Sequence, residues 1–135
     1  MLHIRDFALG TVINVHIGDA NYGFTPGTGA IRATLRAYDE MDLNLFCRRI
    51  ETFAREKSAK AMLNVEITYH DRFPATINNA FACSMVEENA KKLGMNFEYS
   101  KSPERGSEDF AHFASISKAC FFDIGNGFDG DDIHR

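Results

Sequence analysis

The sequence predicts an α+β fold in which a strand, strand, helix, strand segment is followed by an incomplete α/β segment. Three observations carry this prediction. Apolar and polar residues alternate in three stretches of the first half, and an amphipathic helical pattern lies between the second and third of them. A polar, proline-containing connector, DRFPATINN, then separates this half from a second series of helix and strand patterns. We therefore divide the chain into residues 1–74 and 75–135.

The first half contains three predicted strands and one helix. The predicted strands are residues 12–17, 31–37 and 62–70. On the first strand the side chains expected to face inward are Ile13, Val15 and Ile17. Asp39 or Asp42 is suited to cap the helix, which is predicted to end near Lys60. Packing of this helix on the apolar face of the three strands would give a small two-layer unit.

The second half predicts a helix, a strand, a helix and a strand. These elements are residues 80–93, 96–100, 107–116 and 118–125. Gly94 follows the first of these helices, where glycine suits the left-handed residue that ends a helix. Two strands and two helices do not close a core, and the chain stops directly after an acidic, glycine-rich loop. We therefore expect this half to be part of a larger α/β layer.

Composition and charge exclude several classes of function. The chain of 135 residues is 44% hydrophobic and 25% charged, which is typical of a soluble globular protein. A formal charge of −4 without a basic cluster gives no reason to expect nucleic acid binding. No apolar run is long enough for a membrane span or a signal peptide. Cys47, Cys83 and Cys120 match no metal or redox spacing, so reduced thiols in a cytoplasmic protein are expected.

The stretch ERGSEDFAHF, residues 104–113, combines a Gly-Ser pair with two adjacent carboxylates. Helix capping explains these residue types fully. Ser107 is a good N-cap, and Glu108 and Asp109 would lie in the first turn, where the helix dipole favours negative charge. The remaining motifs decide whether the stretch has a further role.

Four stretches in order together resemble one enzyme family. They are GAIRATLRAYDE (29–40), DRFPATINN (71–79), GSEDFAHF (106–113) and IGNGFDGDDIH (124–134). The set is similar to the zinc-dependent amidohydrolase and peptidase family that includes hippurate hydrolase, aminoacylase, indole-acetyl-amino-acid hydrolase and succinyl-diaminopimelate desuccinylase. The resemblance covers roughly residues 12–134.

The resemblance implies a two-domain organisation. In this family a catalytic α/β domain with two metals is interrupted by a smaller, ferredoxin-like lid that usually dimerises. Residues 1–74 resemble the later part of the lid, and residues 75–135 resemble the returning part of the catalytic domain. The implied partners are an N-acyl amino acid or small peptide as substrate and a second copy of the chain in a homodimer. No nucleic acid or membrane partner is implied.

The resemblance also assigns substrate-binding residues. Arg36 matches the lid arginine that reaches toward the substrate carboxylate, and a guanidinium suits bidentate recognition of a carboxylate. Exposure on the polar face of a strand is the alternative for Arg36, and Arg32 shares that face. Gly106 and Ser107 match a turn whose backbone N–H groups lie against the active site. Glu108 and Asp109 would then support this turn and its neighbours without acting as the base.

His134 matches the C-terminal histidine of the family and is the expected metal ligand, because neutral imidazole is a standard zinc donor. A histidine at a disordered terminus is the alternative. His16 projects from the polar face of its strand and is a weak candidate for an active-site histidine. The acidic residues Asp129, Asp131 and Asp132 do not have the spacing of a calcium-binding EF-hand loop, so a solvated turn is expected.

The chain departs from the family pattern in two respects. Gly23 stands where the family usually has an asparagine, which weakens the transfer of lid contacts to this chain. The other metal ligands and the catalytic glutamate come from the half of the enzyme that precedes the lid, and the pair Glu87-Glu88 lies in the wrong place to replace that glutamate. We therefore assign no catalytic residue to this chain. Zinc or another divalent metal is expected only if the missing half or a partner chain supplies the remaining ligands.

Two interpretations follow for the whole chain. The first is the C-terminal portion of a metal-dependent amidohydrolase that cleaves an amide bond of an N-acyl amino acid or small peptide and is inactive by itself. The second is a non-catalytic remnant or dimerisation module that keeps the lid architecture.

Overall fold

The computed structural model of the chain describes residues 4, 6–106 and 108–125. The chain divides into two compact units. The first unit draws on Met1–Ala75 and Ser102–Gly106, and the second on Thr76–Lys101 and Ser107–Arg135. Strands and helices are both present, so the predicted α+β class is confirmed. The segment Ser102–Gly106 packs with the first unit although it lies well beyond residue 74.

The first unit is built on an antiparallel pair of strands, β1 (Ala8–Ile17) and β2 (Gly29–Ala37). Both strands were predicted, and both begin earlier than the alternation suggested. Val12 pairs with Ala33 and Asn14 with Arg32, so Ile13 is the extra residue of a β-bulge. The bulge shifts the alternation by one residue. It was therefore wrong to expect one regular alternation to run through Ile13.

The helix α1 (Glu40–Lys60) covers one end of the apolar face of this sheet. Gly10 and Leu35 are cross-strand partners, and a Cβ on Gly10 would lie 3.0 Å from the edge of the Phe46 ring. The far end of the same face carries Val15, Ile17 and Ile31, which are 54%, 65% and 73% exposed. The helix therefore shields only about half of the apolar face.

The ends of α1 follow from local chemistry. Asp39 is the N-cap, and its side-chain oxygen accepts hydrogen bonds from the amides of Met41 and Asp42 at 2.8 and 3.1 Å. Asp42, the other predicted cap, is buried instead, and its carboxylate accepts a hydrogen bond from the Asp6 amide. The helix ends at Lys60, as expected, and Met62 follows it with a φ of 56°.

The third predicted strand, residues 62–70, is not formed as a strand. Val65 and Ile67 are half-buried between exposed neighbours, so the predicted alternation of side chains is present. A strand also needs a backbone partner, and within the described residues the sheet has only β1 and β2. The segment is held to α1 by a side chain, since the Tyr69 hydroxyl donates to the Glu51 carboxylate at 2.8 Å.

The second unit contains α2 (Ala80–Lys92), which confirms the helix predicted over residues 80–93. Asn79 is its N-cap and accepts hydrogen bonds from the amides of Phe81 and Ala82. At the other end Gly94 has a φ of 70° and its amide donates to the Lys91 carbonyl, while the Met95 amide reaches the Ala90 carbonyl. This pair of bonds is the Schellman motif, so the predicted role of Gly94 is confirmed.

The strands predicted over residues 96–100 and 118–125 are absent from the described part of the chain. In the second case one backbone hydrogen bond and one asparagine side chain take the place of a strand partner. The backbone N–H of Asn79 donates to the Ala119 carbonyl at 2.8 Å. The side-chain amide of Asn78 then satisfies both backbone groups of Phe121, accepting from its N–H at 2.7 Å and donating to its carbonyl at 2.8 Å. One asparagine therefore supplies the two hydrogen bonds that a neighbouring strand would make.

The last described helix, α3, is short and covers only Ala111–Ala114, whereas the sequence predicted a helix over residues 107–116. Ala111 and Ala119 are the buried hydrophobic residues of the described chain. Phe110 lies between Phe113 and Phe121, with ring centroids 5.8 and 5.2 Å away. Among the residues described, no helix combines the length and apolar character needed to cross a membrane.

Candidate functional site

The candidate site lies on the polar face of β2, opposite α1. Arg36 is paired with Leu9 across the sheet and projects away from the face that Leu35 shares with α1. Its Nη1 donates a hydrogen bond of 2.8 Å to the carbonyl oxygen of Arg105. The structure therefore brings Arg36 beside the peptide unit that joins Arg105 to Gly106. Arg36 and Gly106 are two predicted substrate-binding positions that lie far apart in sequence.

An aromatic pair supports the same loop. The Phe7 and Tyr38 rings pack with centroids 4.7 Å apart, and the Arg105 guanidinium lies 5.0 Å from the centroid of the Phe7 ring. A cation over a ring at an exposed position contributes about 0.5–1 kcal/mol. The Tyr38 hydroxyl also reaches the Pro103 carbonyl, at 3.5 Å. Loop residues 102–106 are thus contacted by the side chains of Arg36, Tyr38 and Phe7. Two guanidinium groups, those of Arg36 and Arg105, take part in these contacts.

Gly106 leaves room for a ligand at its backbone. The residue is exposed, and no atom of the described residues would lie within 4 Å of a Cβ placed on it. A guanidinium and an uncovered glycine backbone form a surface that suits a small anionic group such as a carboxylate. Arg36 and Gly106 belong to the same unit, so this pairing is a property of the first unit alone.

Glu108 and Asp109 of the GSEDF stretch do not lie in the helix that was predicted for them. Ser107 lies outside the described residues. Glu108 and Asp109 are exposed and precede α3, which begins at Ala111, so it was wrong to place them in the first turn of a helix. The Asp109 carbonyl instead accepts the His112 amide at 3.0 Å. Among the described residues that follow Gly106, the helix therefore begins only at Ala111.

The remaining candidates lie apart from this cluster or outside the described residues. His16 is exposed on β1 and is paired with Ala30 near the hairpin end of the sheet. Arg32, the second arginine of the polar face, donates from Nη1 to the Asn14 side chain at 2.8 Å. His134, the predicted metal ligand, lies outside the described residues. In residues 4, 6–106 and 108–125, no three His, Cys, Asp or Glu side chains are grouped so that they could hold a metal ion. The described residues therefore do not fit a metal centre by themselves.

The structure gives a backbone reason for one departure from the family pattern. Gly23 has a φ of 100°, which side-chain-bearing residues rarely adopt, and in the part of the chain that the structure describes no atom lies within 4 Å of the position of its Cβ. The loop between β1 and β2 thus takes a conformation at this point that requires glycine. Tyr22 and Phe24 beside it are 99% and 76% exposed.

Sequence reasoning missed Arg105 and Tyr38 as parts of the site. The only available signal for Arg105 was its position next to Gly106, because its contact with Phe7 depends on packing. Tyr38 directly follows β2, and its amide donates to the Phe7 carbonyl at 3.3 Å, which continues the pairing of the strands by one residue. An aromatic residue just beyond a strand gives no functional signal of its own.

Sequence reasoning also missed a close pair of thiols in the second unit. The Sγ atoms of Cys83 and Cys120 are 3.3 Å apart, although the residues are 37 positions apart in sequence. Burial, followed by the hydrogen bond with Cys83, raises the pKa of the Cys120 thiol to about 11. In the first unit, burial is likewise the main cause that raises the pKa of Tyr69, and its hydrogen bond to Glu51 adds to the shift.

Comparison with known proteins finds one matching family and relatives that are named as hydrolases. The model of the peptidase family M20/M25/M40 matches residues 2–135. An uncharacterized hydrolase of Staphylococcus aureus (strain bovine RF122 / ET3-1) is 27% identical over 128 residues, which are 93% of this chain and 30% of that protein. The putative amidohydrolase YhaA of Bacillus subtilis (strain 168) is 24% identical over 110 residues, 81% of this chain and 28% of that protein. The chain thus spans about 30% of the length of these relatives. No solved structure matches it significantly.

Proposed function

Because the chain belongs to the peptidase family M20/M25/M40, we propose that it is the C-terminal portion of a metal-dependent amidohydrolase. The intact enzyme hydrolyses an amide bond of an N-acyl amino acid or small peptide. This chain supplies the recognition of the substrate carboxylate and is inactive alone. The names of the relatives, a hydrolase and a putative amidohydrolase, agree with this class of reaction.

The observation that carries the proposal is the hydrogen bond from Arg36 to the Arg105 carbonyl. The bond fixes a guanidinium beside Gly106, whose backbone is open to a ligand. A carboxylate entering this surface would meet a planar guanidinium, the group best suited to bidentate recognition of a carboxylate, which is positioned by its bond to Arg105. Arg36 therefore both orients the loop and recognises the terminal carboxylate. Ser107 is the next polar group along the chain and is proposed as a further contact.

Zinc, or another divalent metal, is the cofactor we propose for the intact enzyme, with His134 as the ligand contributed by this chain. The described residues bring no three metal-ligating side chains together. We accordingly assign the remaining ligands and the glutamate base to the part of the enzyme that lies outside this chain. Glu108 and Asp109 are proposed to act on the Gly106-Ser107 turn, and His16 stays a weak candidate.

A binding experiment tests the substrate class. The ¹⁵N-labelled chain is titrated with N-benzoylglycine and, in parallel, with its carboxamide, and amide shifts are followed by NMR. We expect the acid alone to move the Gly106 resonance, and Arg36→Ala to abolish the movement. Arg32→Ala is the matched control, since it removes an arginine of the same face that bonds Asn14 instead. Equal shifts with the acid and the carboxamide would refute carboxylate recognition.

Two further measurements test inactivity and the metal. Amine release from N-acyl amino acids is assayed with the chain alone and with added zinc, and no turnover is expected. Zinc titration by calorimetry is compared for the chain and His134→Ala. Stoichiometric, tight binding that the variant loses would mean that the chain assembles a metal site without its missing half, which would overturn the proposed division of ligands.

The exposed apolar half of the sheet favours a second candidate, a non-catalytic dimerisation module. Val15, Ile17 and Ile31 form an uncovered patch beyond the reach of α1. A patch of this kind suits burial against a second copy of the chain. Sedimentation equilibrium distinguishes this candidate, because a homodimer that dissociates in Ile31→Lys would support it. A monomer at all concentrations would exclude it.

A further inference from the structure

We propose that Cys83 and Cys120 form a site of reversible oxidation, at which a small-molecule disulfide such as oxidised glutathione converts the two thiols into an intramolecular disulfide. The Sγ atoms are 3.3 Å apart and already hydrogen-bonded. A disulfide requires a separation of about 2.05 Å, so the sulfurs must approach by roughly 1.2 Å. Both residues are partly accessible. The site belongs to the second unit, whereas the Arg36 cluster belongs to the first, and it does not depend on the proposed hydrolase function.

The surrounding contacts hold the two cysteines in place. Cys83 lies in the first turn of α2, and its amide donates to the Asn79 carbonyl at 2.9 Å. Asn79 in turn donates to the carbonyl of Ala119, the residue before Cys120. Asn78 makes two hydrogen bonds to Phe121, the residue after Cys120. The backbone is therefore fixed on both sides of Cys120, directly opposite the helix turn that carries Cys83.

A side-chain contact adds to this connection. The Lys118 ammonium lies 5.0 Å from the centroid of the Phe81 ring, so the residues two positions before each cysteine also meet. Since the two segments are already joined, closing the disulfide costs little further backbone entropy. Attack of Cys120 on the mixed disulfide at Cys83 should then be faster than the reaction of Cys120 with a second molecule of the small disulfide.

The oxidation proceeds by two thiol–disulfide exchanges. The thiolate of Cys83 attacks one sulfur of the small disulfide, forming a mixed disulfide and releasing one small-molecule thiolate. Cys120 loses its proton to solvent, and its thiolate then attacks the Cys83 sulfur and displaces the second small-molecule thiolate. The two protein thiols give up two electrons and two protons, and the small disulfide is reduced to two thiols.

The order of attack follows from the environment of Cys120. Its pKa is raised to about 11 by burial and by the hydrogen bond with Cys83, so Cys120 is protonated near neutral pH. Cys83 is therefore the entry point. The second exchange should accelerate as the pH rises, because it needs the Cys120 thiolate.

Peptide mapping tests the proposal on the full chain. The protein is incubated with oxidised glutathione, alkylated to block remaining thiols, and digested with trypsin without reduction. Each cysteine falls on its own tryptic peptide: residues 37–48 for Cys47, 73–91 for Cys83 and 119–135 for Cys120. We expect the second and third peptides to be covalently linked, and the count of free thiols to fall from three to one. Treatment with dithiothreitol should reverse both changes.

Three variants complete the experiment. Cys47→Ser is the matched control and should still give the link, because Cys47 lies in α1. Cys83→Ser should block the reaction, whereas Cys120→Ser should stop at the glutathione adduct on Cys83. Separate adducts on Cys83 and Cys120, or a link that involves the Cys47 peptide, would overturn the proposal. If a serine variant fails to fold, the map of the unmodified protein still decides the question.

Discussion

The Arg36 guanidinium is hydrogen-bonded at 2.8 Å to the carbonyl oxygen of Arg105, a residue 69 positions later in the chain. The bond ties loop residues 102–106 to the polar face of β2, on the side opposite α1. Arg36 therefore acts on the position of Gly106 whether or not a substrate is bound. Arg36 thus has a structural role in holding the loop, which is distinct from its proposed role in binding a carboxylate.

Replacement of Arg36 by alanine should release the loop without unfolding the unit. A hydrogen bond with a charged donor contributes about 1.5–3 kcal/mol when shielded, and less at a solvent-accessible position such as this one. We expect the Gly106 amide resonance to shift and broaden, with a loss of about 1 kcal/mol or less in unfolding free energy. Arg36→Lys should restore part of the effect. An unchanged Gly106 resonance in Arg36→Ala would show that the bond does not hold the loop.

Glycine at position 62 should stabilise the C-terminal end of α1. Met62 has a φ of 56°, and its amide and that of Leu63 donate to the Ala59 and Ser58 carbonyls in a Schellman motif. A left-handed conformation costs a side-chain-bearing residue roughly 1 kcal/mol more than glycine. Met62 is also 94% exposed, so little burial is lost. Met62→Gly should raise the unfolding free energy by about 0.5–1 kcal/mol, measured by denaturant titration.

The matched control is the same motif at the end of α2. Gly94 has a φ of 70° and open space around its Cβ position, so Gly94→Ala introduces backbone strain without a steric clash. We expect a loss of about 1 kcal/mol. Equal effects of the same sign in Met62→Gly and Gly94→Ala would contradict the assignment of both positions to the left-handed region.

At the start of α2, two substitutions of Asn79 should have different effects on stability. Its side chain accepts from the amides of Phe81 and Ala82, at 3.1 and 3.3 Å. Asn79→Ala should therefore cost about 1 kcal/mol of stability. Asn79→Asp keeps the acceptor and adds a negative charge to a first turn that has no acidic residue, so it should be neutral or gain a few tenths of a kcal/mol. Thermal unfolding followed by circular dichroism measures both.

Acid should weaken the contacts of Glu87. Its carboxylate accepts hydrogen bonds from Lys91 and from the Tyr99 hydroxyl, which hold the pKa of Glu87 below its ordinary value, Lys91 having the larger effect. A carboxyl whose pKa is lower in the folded state contributes stability above its unfolded pKa and loses it as the pH falls through the folded pKa. Glu87→Gln should thus flatten the acid side of a plot of Tm against pH.

Tyr99 reports on the same contact from the basic side. Its hydrogen bond to Glu87 is the largest cause that raises the pKa of the Tyr99 phenol. In Glu87→Gln the phenol should titrate closer to its ordinary value, which ultraviolet difference absorbance detects. Glu88→Gln is the control, since Glu88 is its neighbour on α2. An identical Tyr99 titration in the unmodified protein and in Glu87→Gln would exclude the contact in solution.

Local chemistry was readable from the sequence wherever one residue acts on its immediate neighbours. Asp39 as one of two candidate caps, the glycine at position 94, and the alternation along β2 all follow from rules that span a few residues. The predicted strands at 62–70, 96–100 and 118–125 failed for a common reason. Alternation indicates which side chains share a face, but a strand forms only where a second backbone supplies hydrogen bonds.

The candidate site shows the same division. Arg36 and Gly106 were named from the resemblance of their motifs to one family, and the structure placed them side by side through the Arg105 carbonyl. Arg105 and Tyr38 carried no functional signal in the sequence. The pairing of Cys83 with Cys120 was equally hidden, because it depends on Asn78 and Asn79 joining two segments that are distant in sequence.

The sequence by itself determined the α+β class, the two longer helices with Gly94 at the end of the second, and the family, because these depend on local periodicity and on motifs of a few residues. The tertiary structure decided which residues that are distant in sequence come into contact. It placed the Arg36 guanidinium on the carbonyl of Arg105, the Cys83 thiol against the Cys120 thiol, and α1 over only one end of an apolar sheet. These contacts form between residues tens of positions apart, where the free energy of packing, and not the preference of any single residue, selects the neighbours.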